Sequence, residues 1–245
     1  MGPRRSAQQA GETRRAIVAR AVDLASLQGL EGLTIGRLAG ELHMSKAGVI
    51  GHFGSKEELQ LAALAGASEI FRAEVWDRAA SLAPGRERLA GICEAWISYL
   101  ERGVFPGGCF LNAASCEFDG RPGRVHDAVA DTLTRWRSTL EAEARTAISA
   151  GELPPGSDPA VLAFMLSSIA LGVNQAIQLY GERSVGGVAR SQAAALLGLD
   201  TLAPRSPQRS SRAARTGSPR ATRPPSRTSP KTPKASGSVV GSARR

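Results

Sequence analysis

The sequence predicts an all-α protein: three helices in an N-terminal domain, a helical bundle after it, and a disordered basic tail. Three observations predict it. Apolar residues recur with a period near 3.6 from the N-terminus to about Gly198, and no segment alternates with period two. Ser or Thr stands directly ahead of several of these runs, where helix N-caps belong, and Gly or Pro closes most of them. At Ala203 the composition changes abruptly: 7 of the 14 prolines and 11 Lys or Arg, with no acid among them, fall in the last 43 residues. The net charge of +9 belongs to that tail, because residues 1–202 carry 20 bases against 22 acids.

A flexible arm is expected over residues 1–10, and the first helix from near Glu12 to Gly29, with Ile17, Ala21, Leu24 and Ala25 on one face. Thr34 caps a second, short helix that buries Ile35, Leu38, Ala39 and Leu42. Ser45 caps a third, with Val49, Ile50 and Phe53 as its apolar side. Ser55 caps a fourth, whose first turn holds Glu57 and Glu58, where acids favour the helix dipole. This fourth helix runs to about Leu82, where Pro84-Gly85 ends it. Further helices are expected over about 86–102, 109–117, 124–150, 158–180 and 187–197. From 203 onward too little apolar surface is available to offset the entropy of ordering, so the tail is expected to be disordered.

Several function classes are excluded or weakened at this point. Three cysteines, Cys93, Cys109 and Cys116, argue against a disulfide framework, the last two lying roughly 10 Å apart if they share a helix, and no apolar run follows Met1, so a reducing cytoplasmic setting is expected. Pro159 to Gly181 is uncharged over 23 residues, long enough to cross a membrane. It nevertheless contains Ser167, Ser168, Asn174, Gln175 and Gln178, and lacks flanking aromatic and basic belts. It reads as a helix buried between protein surfaces. No nucleophile–base arrangement, metal-ligand cluster or phosphate loop stands out, so no catalytic residue, metal or cofactor is assigned. Glu94, Glu101, Asp127 and Asp131 read as solvated helix faces.

The two short helices joined by Leu42-His43-Met44-Ser45 have the size of a helix-turn-helix over about 33–53, although an ordinary helical hairpin shares that pattern. The third helix offers Lys46, Ala47, Gly48, Gly51 and His52 on its outer side, with little bulk to hinder approach to a groove. The motif Leu33-Thr34-Ile35 through Leu38-Ala39, then Met44-Ser45-Lys46-Ala47-Gly48-Val49-Ile50-Gly51-His52-Phe53-Gly54-Ser55-Lys56-Glu57-Glu58-Leu59, resembles the N-terminal domain of the TetR family of transcriptional regulators. A second stretch, Val104-Phe105-Pro106-Gly107-Gly108-Cys109-Phe110 with Glu117-Phe118-Asp119-Gly120-Arg121-Pro122-Gly123, resembles the ligand-binding domain of one branch of that family.

The resemblance implies that Ser45 to His52 enters the DNA major groove, with Lys46, Ala47 and Gly48 near base edges and Gly51 on the same helix. It implies phosphate contacts from Thr34, His52 and Lys56. Three positions depart from the family pattern. Ile50 replaces a usual aromatic, His43 replaces the turn glycine, and Gly48 and Gly51 each cost the recognition helix about 1 kcal/mol relative to Ala.

The domains expected are therefore residues 11–58 for DNA binding, 59–202 for ligand binding and dimerisation, and 203–245 for the tail. By resemblance the second domain takes a small-molecule effector, apolar or aromatic, with Trp96, Tyr99, Phe110, Cys116, Trp136, Phe164 and Asn174 as pocket candidates. The expected function is a ligand-responsive regulator, a repressor released from operator DNA, acting as a homodimer off the membrane. Two other classes remain open at this stage: a DNA-compacting protein working through its basic tail, and a helical enzyme.

Overall fold

A computed structural model describes the backbone of residues 3–202, with side chains from Gln8 onward. The predicted tail, 203–245, lies outside the described residues. Among the described residues every regular element is helical.

Helix α1 (Pro3–Gln28) begins well before Glu12, so residues 3–10 continue the helix rather than forming an arm ahead of it. Local chemistry explains the earlier start. Proline suits a first helical position, and Gln8-Gln9-Ala10 are good helix formers interrupted only by Gly11. Helices α2 (Ile35–Glu41) and α3 (Lys46–Phe53) carry the expected caps: Thr34 Oγ1 accepts from Arg37 N at 3.3 Å, and Ser45 Oγ accepts from Gly48 N at 3.0 Å. Ser55 Oγ accepts from Glu58 N at 3.1 Å and opens α4 (Lys56–Phe71).

The fourth helix does not stay α-helical to Leu82. A π-helical turn (Arg72–Trp76) follows Phe71, and a last short turn, α5 (Asp77–Ala79), ends it. The remaining helices are α6 (Arg86–Glu101), α7 (Phe110–Phe118), α8 (Arg124–Ser149), α9 (Pro159–Tyr180) and α10 (Val185–Leu196). Each lies within a few residues of its predicted position.

Helices α1 to α3 form a small core from Ile17, Ala21, Leu24, Leu38, Val49 and Phe53, all buried. Ile50, expected on the apolar side of α3, is 42% exposed instead. Val49 and Phe53, four residues apart, already fill the inward face, and Ile50 lies about 100° round the helix from Val49. Helix α4 crosses α1 so closely that a Cβ on Gly66 would sit 2.8 Å from Val18 Cγ1. The larger core is built around α6, where Leu89, Ile92, Trp96, Tyr99 and Leu100 are buried.

Two acids of α6 depart from the solvated face expected of them, Glu94 by burial and the half-buried Glu101 by ion pairing. Glu94 is buried, and Arg190 on α10 donates to both its carboxylate oxygens, at 2.8 and 3.0 Å. The same guanidinium reaches Glu101 at 2.7 and 2.8 Å. One arginine satisfies both acids and pins α10 to α6, as the bidentate fork of arginine allows.

Candidate nucleic-acid interface and effector cavity

The turn between α2 and α3 is closed by His43, whose φ of 55° makes it the sole positive-φ non-glycine among the described residues. Histidine tolerates this region better than branched residues, so the turn geometry survives without the glycine. Beyond the turn, Ser45, Lys46, Ala47, Ile50 and Gly51 are exposed, while Gly48 and His52 are half-buried. A Cβ added to Gly51 would meet nothing within 4 Å, so this part of α3 faces open space. Arg14 of α1 stacks over the Phe53 ring, 4.6 Å from guanidinium carbon to ring centre, fixing the end of α3 against the domain.

Thr34 is exposed at the start of α2, as the phosphate role would need. Lys56 is otherwise engaged. Its Nζ donates to the Glu31 backbone carbonyl at 2.7 Å and to Glu31 Oε1 at 2.8 Å. Gln60 adds bonds to the Leu30 carbonyl at 2.8 Å and to Glu31 Oε2 at 3.2 Å. These contacts, with Lys56 foremost, hold the Glu31 carboxyl below its ordinary value. Lys56 thus braces the α1–α2 turn against α4, a role its sequence neighbours do not signal.

A second brace comes from farther away. The Glu117 carboxylate, near the end of α7, accepts from Leu30 N at 2.7 Å and from Glu31 N at 2.8 Å. Gly29, with φ 79°, permits this approach, since a Cβ there would lie 2.6 Å from Glu117 Oε1. The loop before α7 presses on the same end of α1: a Cβ on Gly107 would fall 1.7 Å from the Ser26 carbonyl oxygen. At the loop's end, Cys109 N donates to Asn174 Oδ1 on α9 at 2.8 Å.

Two cavities flank α7. One, of about 220 Å³, is bordered by Phe71, Trp96, Asn112, Trp136, Arg137 and Ser167, among others. The other, of about 360 Å³, shares Phe71, Leu111 and Trp136 as a wall and adds Arg72, Trp76 and Arg135. Phe71, Trp96 and Trp136 meet pairwise edge-to-face, with ring centres 5.0 to 5.6 Å apart. The π-helical turn starts directly after Phe71; such turns are frequent at functional sites.

Of the residues singled out from sequence, Trp96 and Trp136 border these cavities and the other five border neither. Tyr99 and Phe110 are buried core rings, linked through Phe105 at 6.0 and 5.8 Å. Cys116 is exposed on α7, because the inward face of that short helix is taken by Phe110, Leu111, Ala114 and Phe118. Phe164 is 69% exposed on α9, on the face opposite buried Leu162, Ala163 and Leu166. Asn174 is spent on the backbone of Cys109. Phe71, Asn112 and Arg137 were not foreseen. Asn112 carried the only local signal, an amide amid the apolar residues of α7. No group of three His, Cys, Asp or Glu arranged for a metal occurs among the described residues.

Comparison with known proteins agrees with this geometry. Residues 17–63 match the family described as bacterial regulatory proteins, tetR family, and residues 85–193 match the tetracyclin repressor-like C-terminal domain. No curated protein matches the chain in sequence. Among solved structures, a TetR transcriptional regulator from Chloroflexus aurantiacus is 25% identical with a TM-score of 0.73, covering 79% of this chain and 98% of that one. A Saccharomonospora viridis protein crystallised with choline is 25% identical at TM-score 0.65, covering 78% and 98%. AibR, solved with isovaleryl coenzyme A and operator DNA, is 23% identical at TM-score 0.61, covering 75% and 97%. The helix-turn-helix of α2 and α3, the helical domain behind it, and matches that together take in more than half of the chain place this protein in the TetR family of bacterial transcriptional regulators.

Proposed function

We propose that the protein is a homodimeric, cytoplasmic repressor that leaves its operator when a small molecule enters the cavity beside Phe71. One observation carries this reading. The helix that borders the cavity with Leu111 and Asn112 carries, a turn and a half on, Glu117, whose carboxylate holds the backbone of the α1–α2 turn. A ligand that displaces α7 acts directly on the mount of the reading head. Among the structural relatives, AibR was solved with both an acyl-coenzyme A and operator DNA.

On this reading Lys46, Ala47 and Gly48 face base edges, Ser45 and Gly51 allow close approach, and Thr34 and His52 meet phosphates. Lys56 would have to leave Glu31 to join them. A second copy covers the apolar face of α9 formed by Val161, Phe164, Leu171 and Leu179, with Val188 of α10 beside it, all more than 48% exposed in the single chain. Two-fold symmetry then sets the recognition helices roughly 34–36 Å apart, one turn of DNA.

The test is a shift assay on DNA from the protein's own promoter region, with sedimentation in parallel. Lys46→Ala is expected to weaken specific binding about tenfold, the scale of one lost base contact, with unchanged helical circular dichroism. Parent-like binding by that variant would remove α3 as the reading helix, and a monomer at micromolar concentration would remove the dimer.

A further inference from the structure

The smaller cavity has a chemical bias. The indole N–H groups of Trp96 and Trp136 and the side-chain amide nitrogen of Asn112 are all buried and have no hydrogen-bond partner in the protein. All three belong to residues that border this one space of about 220 Å³. Trp96 itself is only 6% exposed. Buried donors of this kind are rarely left unmet, because each unmade bond carries a desolvation cost. The Ser167 hydroxyl is already committed to the Ala163 carbonyl at 2.8 Å. No carboxylate borders the cavity, and Arg137 stands on its wall, ion-paired at 3.7 Å with Glu141, an acid that does not border the cavity.

The unpaired polar atoms of this lining are therefore all donors, while much of the rest is aromatic and aliphatic. Its volume is below the roughly 300–1,000 Å³ of pockets that hold drug-sized ligands. Three fixed rings meeting edge-to-face leave room for a flat, compact molecule. From this we infer that the effector is a small aromatic carboxylate: a single ring fills the apolar part, and its two oxygens accept from the Trp96, Trp136 and Asn112 donors near Arg137. A cation is disfavoured, since it would bring further donors to a lining whose buried unpaired polar atoms are all donors and which holds no acid. The inference rests on the cavity being the effector site of a ligand-responsive regulator.

Four probes of similar size separate the alternatives: benzoate, benzamide, benzylamine and toluene, each titrated into the full-length protein without DNA, by calorimetry and tryptophan fluorescence. Benzoate is expected to bind tightest, benzamide next, toluene weakly and benzylamine least. Trp136→Phe keeps one aromatic ring and removes the N–H with the rest of the indole; Asn112→Leu keeps the branched shape and removes the amide. Each is expected to lower benzoate affinity about tenfold or more, as loss of a hydrogen bond to a charged group does, with toluene changed less than about twofold. Benzylamine binding as tightly as benzoate, no saturable binding of benzoate, or equal losses for benzoate and toluene in folded variants would each overturn the inference. Operator release is scored separately: benzoate binding without release counts against the repressor reading and leaves the ligand class standing.

Discussion

Removal of the Glu117 carboxylate should loosen the α1–α2 turn while sparing both cores. Its two bonds are unequal. Leu30 is 1% exposed, so its N–H, donating at 2.7 Å, loses its only acceptor when the carboxylate goes, whereas the Glu31 N–H lies in an exposed setting where water can replace the acceptor at 2.8 Å. A hydrogen bond to a charged group contributes about 1.5–3 kcal/mol, and an exposed one toward or below the low end. Glu117→Ala should therefore cost about 2–3 kcal/mol of unfolding free energy, most of it at Leu30. Glu117→Gln should recover little. The two N–H groups use different carboxylate oxygens, whereas the amide keeps one oxygen and turns its nitrogen toward the other donor. Gly29→Ala attacks the contact from the opposite side, by crowding Glu117 Oε1 and by placing a Cβ at a φ of 79°. The assay pairs urea unfolding with amide hydrogen exchange. Exchange at Leu30 and Glu31 should accelerate in all three variants, while amides of α6 and α8 keep the parent's protection relative to global unfolding. Parent-like exchange at Leu30 together with a stability loss under about 0.5 kcal/mol in Glu117→Ala would refute the clamp.

Other outcomes follow from neighbouring features. Gly51→Ala, placed where a Cβ meets nothing, should stabilise the fold by up to about 1 kcal/mol in thermal unfolding and at the same time weaken operator binding, because bulk is added to the side of α3 proposed to face the groove. Native protein treated with a thiol reagent should titrate one fast cysteine, the exposed Cys116. Burial pushes the Cys93 thiol up to about 12 and also raises Cys109, so these two should react only on unfolding. The Glu101 carboxyl is held below its ordinary 4.5, first by its bond with Arg190, and Glu31 is lowered likewise by Lys56. A depressed folded value means stability that is fully present above 4.5 and lost as pH falls through the lowered value; urea midpoints between pH 6 and pH 3 (about that range) should show it, and Glu101→Gln should flatten the slope.

Much of the helical order was legible because caps are local. Thr34, Ser45 and Ser55 each sit where their own side chain meets an amide three residues on, and no distant contact is needed. The exposed side of α3 with Lys46, Ala47 and Gly51 was legible for the same reason, apart from Ile50, whose placement depends on how α3 rolls against α1. The cavity was not. Its walls come from α4, α6, α7, α8 and α9, and nothing local marks Phe71 or Arg137 as sharing a space with Trp96. Phe164 misled because α9 is apolar around nearly its whole circumference, so periodicity cannot tell its inward from its outward face. Glu117 acts on amides 86 and 87 residues earlier, which only the folded chain brings together.

The tight seat of Gly107 on the Ser26 carbonyl bears on how such a protein could change its target. Most substitutions at a helix junction are absorbed by side-chain rotation, which leaves the backbone where it was. Here the obstructing atom is backbone on both sides, so even one methyl group at 107 forces the loop and the end of α1 apart. The same loop is tied to α9 through Asn174. Its thickness therefore works as a shim between the helix bearing the exposed apolar face and the DNA-reading head. In a paired molecule every such change is applied twice, once per copy. Small edits at 107 and 108 would then retune the preferred distance between operator half-sites without touching a residue that reads a base.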